Sequence, residues 1–112
     1  MASGKILLVE DDEDFGRSLA LILKHKGYIP QWTGSGEQAL SVLAEKHVDV
    51  VITDMLMPGM SGLEFLRQFR ETYGTDTPIV MITGYGSVTE AVEAMKSGAF
   101  GYFLKPVNQE EI

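Results

Sequence analysis

Short unbroken apolar runs alternate with longer amphipathic stretches along this chain, and that alternation restricts its fold more than any other feature. KILLVE (5–10), DVVITD (49–54) and PIVMIT (78–83) are continuous aliphatic and β-branched segments with polar residues only at their ends. Runs of this kind suit strands covered on both faces, as in a parallel sheet. YIPQWT (28–33) is more polar and holds Pro30, which cannot donate to a ladder and so predicts an edge strand. GYFLK (101–105) is the fifth candidate.

The intervening stretches read as helices. Phe15, Leu19, Ile22 and Leu23 fall at helical spacing, with Gly27 as a C-terminal stop. Leu63, Leu66, Phe69 and Tyr73 form a second apolar stripe, and Val88, Val92 and Met95 a third, ended by Gly98. Ser35 with Gln38, Ser61 with Glu64, and Ser87 with Glu90 have capping-box spacing. Asn108 with Glu111 looks like the cap of one more helix, close to the last residue, Ile112. Strand and helix repeated in this order predict an α/β fold, a parallel sheet with helices on both faces and right-handed crossovers.

A length of 112 residues predicts one domain with a single core. Nine Lys and Arg against 16 Asp and Glu, a formal charge of −7, argue against nucleic acid as a direct partner and suit a site that gathers a cation. The chain has no cysteine, which excludes disulfides and thiolate metal sites and fits a reducing compartment. No apolar stretch approaches the ~20 residues that span a bilayer, and no signal peptide precedes the first run. The expectation is a cytoplasmic protein without a membrane partner, with residues 1–4 as a small N-terminal extension or cloning remnant.

In sheets of this kind ligands sit beyond the carboxyl ends of the strands. Glu10, Asp11 and Asp12 follow the first run, Asp54 closes the third, Thr83 the fourth and Lys105 the fifth. Each has an ordinary explanation: Asp11 and Asp12 are natural N-caps, Thr83 is common at a strand end, and Lys105 is by default solvated. Four such groups at four strand ends are harder to explain singly. Carboxylates from two strand ends repel one another unless a cation intervenes. With only oxygen donors available the cation that fits is Mg²⁺, with Mn²⁺ as a substitute. Lys105 and Thr83 would stabilise charge on a phosphoryl group, and Asp54, read as exposed, would be a nucleophile that forms an aspartyl phosphate. Met57, Met60 and Met81 read as packing, and His25 and His47 as solvated.

VEDDE (9–13), ITDMLMPGMSG (52–62), ITG (82–84) and YFLKP (102–106) together resemble the response-regulator receiver domain of two-component signalling, from residue 5 to the end. The resemblance implies a flavodoxin-like, doubly wound, five-stranded parallel sheet of order 2-1-3-4-5. It also implies a switch in which Asp54 accepts a phosphoryl group from a sensor histidine kinase or phosphotransfer protein. Asp11 would bind the metal directly, Glu10 through water and Leu56 through its backbone carbonyl, with Asp12 as a further acid. The acid pair can be set as Glu10/Asp11 or Asp11/Asp12; the first places Phe15 four residues after Asp11, where the first helix needs an apolar residue. Thr83 would be the switch hydroxyl, Tyr102 the aromatic that follows it, and Lys105 the phosphate contact, with a cis peptide before Pro106. The domain would assist its own phosphorylation and dephosphorylation without being an enzyme proper. Residues 82–106 are also similar to receivers attached to nitrogen- and dicarboxylate-type transcriptional activators, yet no output module is present in this chain.

Two departures bear on behaviour. Only the start of a fifth helix is present, which would expose apolar surface and favour self-association or lower stability. A homodimer through the fourth-helix and fifth-strand face is the expected form of assembly. Leu56 and Tyr85 flank the path of an attacking water and carry no acid or amide to orient it, so a long-lived phosphoryl group is expected. Two other readings compete. One is a docking module that keeps the fold without phosphorylation; the other is a phosphatase with an aspartate nucleophile, disfavoured because Leu56 stands where its general acid would be. A dinucleotide-binding enzyme fails for want of a glycine fingerprint after the first strand.

Overall fold

The computed structural model describes residues 4–84 and 88–105. Within them β1 (Lys5–Val9), β2 (Ile29–Thr33), β3 (Val50–Asp54), β4 (Ile79–Thr83) and β5 (Gly101–Leu104) form one parallel sheet in the order β2-β1-β3-β4-β5. All five expected strands are present, and β2 with Pro30 lies at an edge. Ser87 of the third capping pair, Tyr85, Pro106 and the residues of a fifth helix lie outside the described residues, as do residues 1–3.

Strand parity divides the core. Leu7 and Val9 point to one face, where they join Val51, Met81, Phe65, Leu66, Phe69, Ala39 and Ala94. Ile6 and Leu8 point to the other, with Leu19, Leu23, Ile52 and Ile82. α1 (Glu13–His25) therefore covers one face, and α2 (Gly36–Leu43), α3 (Gly62–Tyr73) and α4 (Val88–Lys96) the other. This two-sided burial explains why the strands carry no apolar-polar alternation.

Helix ends follow local chemistry. The Asp12 side chain caps α1 by accepting from the Phe15 N–H at 3.2 Å, and the acidic first turn and basic last turn complement the helix dipole. Gly27, at φ +96°, turns the chain into β2. Ser61 and Glu64 make the full reciprocal box of α3, at 3.1 and 2.9 Å. At α2 the box is shifted: Ser35 accepts from Gln38 N–H, but Gln38 Oε1 accepts from Gly34 rather than from the cap residue itself.

The stripe of Val88, Val92 and Met95 on α4 faces solvent, with Val88 81% exposed, and Ala94 is the residue of this helix that is buried in the core. A small side chain lets the helix approach the sheet closely, so the larger apolar residues project away from it. With exposed Phe100 and Leu104 they form an apolar surface along α4 and the β5 edge. Arg70 of α3 ties this region down, donating from Nε and Nη2 to Gly98 O at 3.1 and 2.8 Å.

Candidate functional site

The carboxyl ends of β1, β3, β4 and β5 bring the expected residues to one edge of the sheet. Asp54 ends β3 in register with Ile82 of β4, and the next peptide continues the ladder through Met55 N–H to Ile82 O at 3.0 Å. Lys105 follows β5, and its backbone N–H donates to Thr83 O at 2.8 Å. That bond fixes the root of the lysine side chain, which then crosses the strand ends. Its Nζ lies 2.9 Å from Glu10 Oε1 and 3.3 Å from Asp54 Oδ2, and 4.5 Å from the centre of the Phe15 ring.

Asp54 is not exposed, as the sequence reading had it. It is only 6% accessible, and Glu10 4%. The two oxygens of Asp54 are divided: Oδ2 faces Lys105, and Oδ1 accepts from the Leu56 backbone N–H at 3.3 Å. Glu10 Oε2 accepts from Asp12 N–H at 3.0 Å. Asp12 thus caps α1 and closes the Glu10 carboxylate, whereas the acidic cluster is Glu10, Asp11 and Asp54, with one oxygen from each within 4.8 Å of the others. Asp11 is exposed at its mouth.

Electrostatics follow from this packing. Burial pushes the Glu10 pKa up to about 7, against the lowering effect of Lys105 and the Asp12 N–H, and nearby Asp54 raises it further. Burial works to lower the Lys105 pKa, but Glu10 and Asp54 outweigh it and the net shift is upward. One ammonium is shared by two buried carboxylates, with Asp11 as a third acid beside them. The residual negative charge, in a set of oxygen donors, fits a hard divalent cation.

Thr83 is fully buried at the end of β4, and Tyr102, half-buried on β5, donates from its hydroxyl to Glu90 Oε1 of α4 at 3.4 Å. Leu56 is half exposed beside Asp54. A profile of the response regulator receiver domain matches residues 6–112. The chain belongs to that family.

As a receiver it is a signalling domain rather than a classical enzyme, and receivers generally bind Mg²⁺ through acidic residues and interact with histidine kinases or phosphotransfer proteins. Regulatory protein AtoC of Escherichia coli (strain K12) is 36% identical over 111 residues, which are 99% of this chain and 24% of that protein. Response regulator MprA of Mycolicibacterium vanbaalenii is 39% identical over 108 residues, 96% of this chain and 46% of that one. The receiver therefore spans less than half the length of these curated relatives. A response regulator receiver protein from Pseudomonas putida has the same fold, with a TM-score of 0.92 at 29% identity over 99% of this chain and 93% of that chain.

One residue of the site escaped the sequence reading. A Cβ on Gly62 would stand 2.0 Å from Asp54 O and 2.9 Å from Met55 Cα, so the first residue of α3 packs backbone to backbone against the strand end that carries Asp54. Its N–H donates to Met55 O at 2.9 Å. The second glycine of MPGMSG is the only visible signal for this contact. Gly62→Ala is expected to destabilise the receiver by about 3 kcal/mol, the upper end of overpacking costs, because backbone cannot yield as a side chain does. Gly84→Ala, where an added carbon meets nothing within 4 Å, should leave the thermal midpoint unchanged or slightly raised. Equal midpoints for the two variants would contradict this account.

Proposed function

We propose that this receiver is a phosphorylation-activated switch in which Asp54 takes a phosphoryl group from a phosphohistidine on a sensor kinase or phosphotransfer protein. The observation that carries this reading is the pairing of Lys105 with both Glu10 and Asp54 at the mouth of an acidic cluster. Glu10, Asp11 and Asp54 would hold Mg²⁺, with the Leu56 carbonyl as a further donor; the ion, when bound, offsets negative charge on the phosphoryl oxygens.

The chain's own groups do the rest. An Asp54 carboxylate oxygen attacks phosphorus, the P–O bond forms as the P–N bond breaks, and the imidazole nitrogen leaves with the electron pair and is protonated from solvent. Lys105 neutralises charge on the transferred group, and its fixed root keeps the ammonium within reach as Asp54 changes partner. Thr83 and Tyr102 pass the change to the surface of α4 and β5, a ligand-like bias on a two-state equilibrium. The exposed apolar residues of that face suit an output contact or a homodimer.

Intact mass after incubation with Mg²⁺ and acetyl phosphate tests the reading. A gain of one phosphoryl mass is expected, lost in Asp54→Ala and when Mg²⁺ is removed by chelation. No gain in a folded protein would favour a docking module that keeps the residues without their reactivity. The phosphoryl group should also be long-lived, because the half-exposed Leu56 offers no acid or amide to orient water. Leu56→Asn is expected to raise the rate of phosphoryl loss severalfold, followed by the same mass measurement over time; an unchanged rate would exclude a role for this position.

A further inference from the structure

Glu10 lies one residue beyond the last ladder pair of β1 and β2, Val9 with Thr33. The end of β2 nonetheless holds both sides of it. Glu10 N–H donates to Thr33 O at 2.9 Å, and Glu10 O accepts from the indole Nε1–H of Trp32, also at 2.9 Å. That carbonyl belongs to the peptide unit joining Glu10 to Asp11, and a peptide unit is planar. Holding its oxygen fixes the direction in which the chain leaves for Asp11.

The same indole explains a glycine inside α1. A Cβ on Gly16 would come within 2.5 Å of Trp32 Nε1 and 2.8 Å of Cδ1. Glycine is disfavoured within helices, so its presence where the ring rests marks close contact as the requirement at this position. One side chain on the edge strand therefore touches the chain at Glu10, where the acidic run begins, and at Gly16, two residues after it ends. Covering the core does not explain the contact, since the ring remains 37% exposed and its donor goes to main chain outside the ladder.

We propose that Trp32 is a positioning residue for the Glu10/Asp11 pair, its indole N–H orienting the peptide between the two acids and so setting the affinity of the cluster for a divalent cation. The inference rests on the reading of that cluster as a Mg²⁺ site. Groups that orient a metal's ligands without touching the metal change affinity by about 10–100-fold when lost.

Calorimetric titration of the receiver with MgCl₂ tests this. Trp32→Phe should raise the Mg²⁺ Kd by about tenfold, the lower end of that range. Replacing Trp32 by 3-benzothienylalanine, which keeps the bicyclic shape and lacks the N–H, should do the same with an unchanged melting curve, and it decides the matter if Trp32→Phe does not fold. Gly16→Ala should weaken binding in the parent but add little in a Trp32→Ala background, because the ring it crowds is gone. An unchanged Kd in the benzothienyl variant, with the parent binding Mg²⁺, overturns the role of Trp32 and leaves the site reading intact. A parent that does not bind Mg²⁺ overturns the site reading and the inference with it.

Discussion

A single ammonium shared by two buried carboxylates is the constraint on which the rest of this receiver depends. Lys105 cannot reach Glu10 and Asp54 unless the first, third and fifth strands end level at one edge of the sheet. The parallel order β2-β1-β3-β4-β5 supplies that edge, with β4 between the strand that ends in Asp54 and the strand that leads to Lys105. The main-chain bond from Lys105 to Thr83 then sets the direction of the side chain. Local charge is left negative once the lysine is counted, which is costly without a cation and useful with one.

The segments after β3 and β1 are held by contacts that each involve main chain. Gly62 brings α3 against the peptide of Asp54, and the Ser61–Glu64 box starts the helix one residue earlier at a fixed point. On the other side Asp12 both caps α1 and donates its N–H to Glu10. The placing of the Glu10 carboxylate and the start of α1 therefore share the same residue, Asp12. The acidic cluster thus shares the fold with a surface, along α4 and β5, that keeps its large apolar side chains in solvent.

β1, β3 and β4 were legible because burial on both faces leaves a clear mark, an apolar run with polar residues only at its ends. Pro30 marked the edge equally well. Helical spacing of Val88, Val92 and Met95 reports that one side of α4 is apolar, not that this side meets the sheet. Ala94, too small to dominate the pattern, makes the buried contact. Asp54 was read as exposed because a strand's last residue carries no sign of what packs on it, and Lys105, which meets its Oδ2, is distant in sequence. Gly16 and Gly62 are each explained by an atom outside their own helix, the Trp32 indole and the Asp54 carbonyl, which the sequence does not display.

Among three neighbouring acids and Asp12, the account assigns the phosphoryl group to Asp54 alone. Borohydride reduction of the phosphorylated protein converts an aspartyl phosphate to homoserine, and peptide sequencing by tandem mass spectrometry then locates it. The account predicts homoserine at position 54 and at no other. A reduced residue at Asp11 or Asp12, or the alcohol derived from Glu10, would contradict it.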